Sequence, residues 1–288
     1  MPQSEASQKA RVLIEALPYF RQFRTQTMVI KIGGSIMDDE AMLRLLVKDV
    51  LLMHWTGIKP VLVHGGGKHI TQLMARLDMK AEFVEGLRVT DKETMDVTQM
   101  VLSGLINKDI VSMIQREGGR AVGVSGRDGN LIRAKKMVKP GVDIGQVGEI
   151  TAIDTGLLET LDGSGFIPVV SPIGGDGDGV SLNINADTAA TEIAVALKAE
   201  KLIFITDGNG VLSDLRDPDS VISRIRPEDA PALEAKGLVS KGMIPKIRSS
   251  IEALSRGIRS VHIIGGKIPN ALLLELFTEA GIGTQFIP

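Results

Sequence analysis

Cysteine is absent from the 288-residue chain, which removes disulfide frameworks, thiolate zinc sites and cysteine nucleophiles together. Neither sign of charge is in excess. Lys and Arg number 33 against 35 Asp and Glu, for a formal net charge of -2 and a pI near 6.1. That balance offers no basic field for a phosphate backbone, and aromatics at 3% leave few faces on which bases could stack. Nucleic acid is therefore not an expected partner. Long apolar runs are missing too: no stretch approaches the roughly 20 residues of a membrane span. The first thirty residues carry Glu5, Lys9, Arg11, Glu15, Arg21 and Arg24 in place of the apolar core of a signal peptide. A cytoplasmic protein without membrane contact is the expectation.

What is present is 43% hydrophobic and patterned. Short Val- and Ile-rich runs alternate with longer segments of helical period, which predicts an α/β protein built as an open αβα three-layer sandwich on a mainly parallel sheet. Strands are expected at Met28–Ile32, Pro60–His64, Arg120–Val124, Phe166–Ser171, Lys201–Thr206 and Arg259–Ile264. Helices are expected near 39–55, 68–78, 91–102, 104–117, 154–162, 186–199, 243–256 and 269–280. Turn residues between 125 and 151 point to an antiparallel patch. The run GGDGDG at 174–179 marks a boundary between an N-terminal lobe, 27–180, and a C-terminal lobe, 181–288. Ahead of both, residues 1–26 form an appendage. Ala10, Leu13, Leu17 and Phe20 line one face of its helix, and Pro18 predicts a kink into two pieces. Tyr19, Phe20 and Phe23 crowd together there with no evident core to enter, so they are expected at a subunit interface.

Three glycine-rich segments follow predicted strands: Gly33-Gly34-Ser35, Gly65-Gly66-Gly67 and Asp207-Gly208-Asn209-Gly210. Beyond the carboxyl ends of parallel strands, glycine lets backbone amides approach an anion, and a following helix presents its positive end. A tight turn would explain any one of them; three together favour a phosphate ligand. No P-loop, dinucleotide or protein-kinase fingerprint occurs, so the cradle has another design. Lys31 interrupts the apolar strand MVIKI beside the first glycine pair. An unpaired buried charge would cost several kcal/mol there, so Lys31 is either an edge-strand residue reaching water or an anion ligand. His64 and His69 are five apart, a spacing that does not place them on one helical face as a zinc pair. No metal ligands are expected from the protein.

The motifs VIKIGGS (29–35), VHGGGKHI (63–70), GLRVTD (86–91), NKDI (107–110), LNINADTAA (182–190), ITDGNGVL (205–212) and KGMIPKI (241–247) resemble the amino acid kinase family, in particular its acetylglutamate kinases, across nearly the whole chain. The resemblance implies transfer of the γ-phosphoryl of ATP, with Mg²⁺ held by the nucleotide, to the γ-carboxylate of N-acetyl-L-glutamate in arginine biosynthesis. It implies that Lys31 and Lys246 flank the transferring group and that Asp187 holds both. A helix-capping aspartate is the plain alternative for Asp187. Gly66, Gly67, Arg88 and Asn183 would bind the acceptor, and Gly33, Gly34, Asp207, Gly208 and Gly210 the nucleotide. The chemistry is coherent with these residues: a carboxylate is ionised at neutral pH and needs no general base, only charge neutralisation and alignment.

Arginine-sensitive members are similar in an N-terminal helix and in a C-terminal run like that at 260–284. This implies inhibition by L-arginine at a site including Tyr19, His262, Glu275 and Gly281, and assembly of dimers into a hexamer. Glu275 is otherwise an ordinary solvated helix charge. Two alternatives stand beside this reading: another amino acid kinase acting on glutamate or an N-blocked amino acid, and a catalytically silent arginine- or nucleotide-binding regulator.

Overall fold

The computed structural model describes residues 3–235 and 243–288; Lys241 and Gly242, the start of the KGMIPKI motif, lie outside the described residues. Eight strands form one sheet, ordered Arg224–Ile225, Thr284–Phe286, Ser260–Gly265, Lys201–Thr206, Thr27–Ile32, Lys59–His64, Ile167–Ser171 and Ala121–Ser125. All neighbours run parallel except Ser260–Gly265 with Thr284–Phe286. Each of the expected strands is present to within a residue at either end. The two short strands at one edge carry too few residues to show a period.

Thr27–Ile32 lies inside the sheet with a partner on both sides, so Lys31 is not an edge residue. Strand alternation turns Met28, Ile30 and Ile32 toward a core shared with the helices Glu40–Trp55 and Asn107–Arg116. Val29 faces the opposite core, with helices Ala186–Ala196 and Ile244–Ser255. Met28, Ile30 and Ile32 are fully buried, and each contributes about 1.5–3 kcal/mol through removal from water. The helical layers on both faces complete the three-layer sandwich.

A second sheet, ordered Ser181–Asn183, Ile173–Gly175, Ile132–Lys136 and Gly148–Ile153, contains the antiparallel patch expected at 125–151. The GGDGDG run is the turn of a hairpin in this sheet. Asp176 accepts from the backbone of Asp178 and Val180, while Gly177 and Gly179 take the left-handed conformation. The two halves of the chain meet along the pairing of Thr27–Ile32 with Lys201–Thr206.

Three local expectations differ from the structure. Helices Lys92–Gln99 and Asn107–Arg116 are not separate but run together through a π-helical segment, Met100–Ile106. The wider π turn leaves Met100 and Leu105 exposed while Asn107 is fully buried. The N-terminal helix is a single piece, Gln3–Phe23, with Pro18 inside it. The proline forfeits the bond to the carbonyl of Ile14, and Ile14 is exposed, so water can solvate that group. Tyr19, Phe20 and Phe23 do find a core of their own: all three pack edge-on around Phe277, with ring centroids 6.2, 5.3 and 6.4 Å away. The outward apolar residues of this helix are Val12, Leu13, Ile14 and Leu17.

Asp49, on Glu40–Trp55, has no exposure to solvent. Its Oδ1 accepts from Asn270 Nδ2 at 2.8 Å and its Oδ2 has no partner. Burial outweighs these hydrogen bonds and pushes its carboxyl up to about 6. Between the ordinary aspartate value and about pH 6 the folded chain holds a proton the unfolded chain has released, so stability falls as pH rises through that window. The span corresponds to about 3 kcal/mol. Urea midpoints measured from pH 4 to 7 should therefore fall for the native chain relative to Asp49→Asn; parallel curves would contradict the assignment.

Candidate active site

A cleft of about 480 Å³ opens at the carboxyl ends of Thr27–Ile32, Lys59–His64 and Lys201–Thr206. From Thr27–Ile32 the chain continues to a neighbour on one side and returns later to a neighbour on the other. This is where an open α/β sheet leaves a crevice for ligands.

Lys31 is brought into the cleft by its strand and Asp187 by the helix Ala186–Ala196, which packs on that strand. Lys31 Nζ stands 2.8 Å from Asp187 Oδ1, and Lys246 Nζ donates to Asp187 Oδ2 at 2.5 Å. Lys246 comes from Ile244–Ser255, packed against the helix of Asp187. Two lysines distant in sequence thus share one carboxylate. Burial alone would push Asp187 up, but the two ammonium groups overcome it and hold the carboxyl below the usual range. Asp187 is not the helix cap. That role belongs to Asn185, whose side chain accepts from the backbone of Asp187 and Thr188, leaving Asp187 to the lysines.

Gly33, Gly34, Gly66 and Gly67 line the cleft. A β-carbon at Gly33 would lie 2.2 Å from Lys31 Nζ, and one at Gly34, where φ is +71°, 2.6 Å from Asp207 Oδ1. The lysine and the aspartate occupy the space side chains would need. Asp207 accepts from the backbone N–H of Ser35 at 2.6 Å, and chiefly this bond lowers its carboxyl. The structure does not bring Gly208 and Gly210 to the cleft lining; Gly210 instead gives room to Thr284.

Arg88 enters from the hairpin Phe83–Val84 and Leu87–Arg88. One guanidinium nitrogen donates to Gly67 O and to Thr71 Oγ1, both at 2.8 Å, and the group lies 4.7 Å above the Phe83 ring. Asn183 also borders the cleft and donates to Thr90 Oγ1. Phe83, Thr71 and Asn185 were missed by sequence reasoning. Phe83 could have been found from the turn Glu85-Gly86, since a two-residue turn sets Phe83 opposite Arg88.

A second cavity of about 560 Å³ is bordered by Tyr19, Lys201, Arg224, His262, Glu275 and Gly281, among others. Glu275 is buried rather than solvated. His262 Nδ1 donates to its Oε1 at 2.6 Å, while Oε2 accepts from the backbone of Ile282 and Gly283. Lys201 Nζ donates to His262 Nε2 at 3.1 Å, which fixes the proton on Nδ1. Burial pushes Glu275 up, yet these donors prevail and hold it low; burial lowers His262 despite the carboxylate. The four residues proposed from sequence for regulation thus share one cavity, distinct from the cleft.

The fold, the lysine pair on one carboxylate and the glycine-lined cleft define a small-molecule phosphotransferase: the chain belongs to the amino acid kinase family, whose profile matches residues 26–265. Within that family it falls among the acetylglutamate kinases. The acetylglutamate kinase of Heliobacterium modesticaldum is 49% identical over 98% of this chain and 99% of its own length. That of Methanothrix thermoacetophila is 51% identical over 96% and 98%. Among solved structures, N-acetylglutamate synthase from Neisseria gonorrhoeae, complexed with coenzyme A and N-acetyl-glutamate, superposes with a TM-score of 0.86 at 28% identity. The match takes in 97% of this chain but 63% of the synthase, so the chain spans just under two thirds of that protein. The same synthase with coenzyme A and L-arginine gives 0.83 at 28% identity, over 96% of this chain and 65% of the synthase.

Proposed function

We propose that the chain phosphorylates the γ-carboxylate of N-acetyl-L-glutamate with ATP, giving N-acetyl-L-glutamyl 5-phosphate and ADP, in arginine biosynthesis. The observation that carries the mechanism is the pair Lys31 and Lys246 held by Asp187 at the carboxyl end of the central sheet. A carboxylate oxygen attacks the γ-phosphorus, the new P–O bond forms, and the bridging bond to ADP breaks with its electrons passing to ADP. Both reactants are anions, so positioning and charge neutralisation supply the catalysis. Lys31 neutralises the acceptor side and Lys246 the nucleotide side. The amides of Gly33 and Gly34 serve the γ-phosphate, those of Gly66 and Gly67 the acceptor, Arg88 its α-carboxylate and Asn183 its amide end. Apart from Asn183, the acceptor's contacts come from residues 27–180; the nucleotide lies mainly on residues 181–288, where Asp207 borders its phosphates, with Gly33 and Gly34 reaching its γ-phosphate from the other lobe.

Mg²⁺ fits as a companion of ATP. Asp187 is committed to two lysines, Asp207 to Ser35, and no cluster of three or more His, Cys, Asp or Glu that could hold an ion occurs among the described residues. When bound, the ion neutralises phosphate charge.

The second cavity is our candidate site for L-arginine as inhibitor. Its buried Glu275 suits a guanidinium and its cations Lys201 and Arg224 suit an α-carboxylate. The outward Val12, Leu13, Ile14 and Leu17 suit a contact between copies of the chain, by which dimers assemble into a hexamer. No helix among the described residues is long and apolar enough to cross a membrane, and we read the protein as cytoplasmic.

ADP release measured with acetylglutamate, glutamate, aspartate, carbamate and UMP tests the activity. Turnover should be confined to acetylglutamate; turnover of carbamate or UMP alone would overturn the assignment.

A further inference from the structure

His64 is fully buried directly beneath the glycine loop and is absent from the cleft lining. Its Nδ1 stands 2.9 Å from Gly65 O. A carbonyl oxygen only accepts, so Nδ1 carries the proton. Nε2 then accepts, and Asn107 Nδ2 faces it at 3.3 Å. Asn107 cannot turn round: its amide nitrogen also donates to Val169 O at 2.9 Å, and its oxygen accepts from Lys108 Nζ at 3.1 Å. Every group around the ring agrees on one neutral tautomer. Burial, with the charges of Lys108 and Lys31, keeps the ring neutral by pushing His64 down to about 4, against the bond to Gly65.

The peptide joining Gly65 to Gly66 is planar and trans, so its C=O and N–H point in opposite directions. Tying the oxygen down to the buried ring turns the Gly66 N–H up, toward the cleft that Gly65, Gly66 and Gly67 line. Among the described residues that amide has no hydrogen-bond acceptor. We propose that His64 is a positioning residue for the transfer reaction, acting through the Gly65 carbonyl to aim the Gly66 amide at the anion, and that Asn107 locks the ring for this task. The π-helical segment Met100–Ile106 ends at Asn107, which gives that interruption of the helix a purpose. The inference rests on the acceptor reading of the cleft.

Asparagine, glutamine and leucine at position 64 separate this role from simple packing. In His64→Asn the side-chain nitrogen takes the place of Nδ1 and can still hold Gly65 O. In His64→Gln it takes the place of Nε2, and in His64→Leu there is no donor. With acetylglutamate and ATP, kcat should stay within about threefold of the native chain for Asn and fall about 10- to 100-fold for Gln and Leu, part of the loss expected when a preorganised donor is removed. KM for ATP and the thermal midpoints of Asn and Gln variants should agree. If the Leu variant does not fold, the Asn and Gln variants decide alone, since both keep a primary amide and the one extra methylene of Gln carries the NH₂ from the Nδ1 to the Nε2 position. Equal kcat for those two, whether fast or slow, would overturn the proposal. A native chain that turns over no acetylglutamate would instead overturn the reading of the cleft.

Discussion

Lys246→Ala should lower kcat with acetylglutamate by about 100- to 1000-fold, the loss typical of a preorganised electrostatic partner of the transition state, while the fold persists with a lower thermal midpoint, since buried Asp187 keeps Lys31 as its remaining partner. The lysine has most of its side chain covered, yet its ammonium meets the protein through Asp187 at 2.5 Å. Negative charge spreads over the oxygens of the transferring group as the bridging bond lengthens. A cation placed beforehand in a poorly solvated cleft counters that charge without reorganising. The variant has a second signature. Asp187 is held low against its burial by two ammonium groups; with one gone its carboxyl rises, and the acid limb of the kcat profile should move to higher pH. The stability that comes from Asp187 being held low is present above its unfolded value and lost as pH falls through the folded one. The acid stability edge should therefore move the same way. Full turnover by the alanine variant would refute the role assigned to Lys246.

Deleting residues 1–24 should leave an active enzyme that L-arginine no longer inhibits. Tyr19, Gln22 and Phe23 form one wall of the second cavity, so the deletion opens it to water and removes part of the ligand's enclosure. A shorter deletion, residues 1–17, removes the outward Val12, Leu13, Ile14 and Leu17 but spares that wall. It should reduce the assembled mass, read by light scattering, while arginine still binds by calorimetry. Enzyme lacking residues 1–24 that remains hexameric and equally inhibited would sink both the site and the interface. The longer deletion also uncovers Phe277, around which three aromatics pack, so some loss of thermal stability accompanies it.

The central strands and most helices were legible in the sequence because each carries enough residues to show a period, and Lys31 stood out because a charge within MVIKI contradicts its surroundings. Other features leave no local mark. Whether Asp187 capped its helix or held lysines depended on Asn185 taking the cap. The π turn at Met100–Ile106 preserves a helical pattern on both sides, so only the depth of Asn107 betrays it. Tyr19, Phe20 and Phe23 looked surplus to the fold because their partner, Phe277, is more than 250 residues away in sequence. Glu275 read as a surface charge because its burial is made by His262 and by the backbone of Ile282 and Gly283, contacts that a helical wheel does not contain.

Lys201 and Thr206 are the two ends of one strand. The first borders the second cavity, and the second is followed by Asp207 in the cleft. A strand of this length is a strut of roughly 20 Å that can tilt but hardly stretch. Its neighbour Ser260–Gly265, whose His262 faces the same cavity, pairs with it in parallel along its whole length. If L-arginine occupies that cavity as proposed, it touches the far ends of the same two strands whose carboxyl ends carry Asp207 to the cleft, so any tilt it imposes there would be delivered to Asp207 rather than absorbed between.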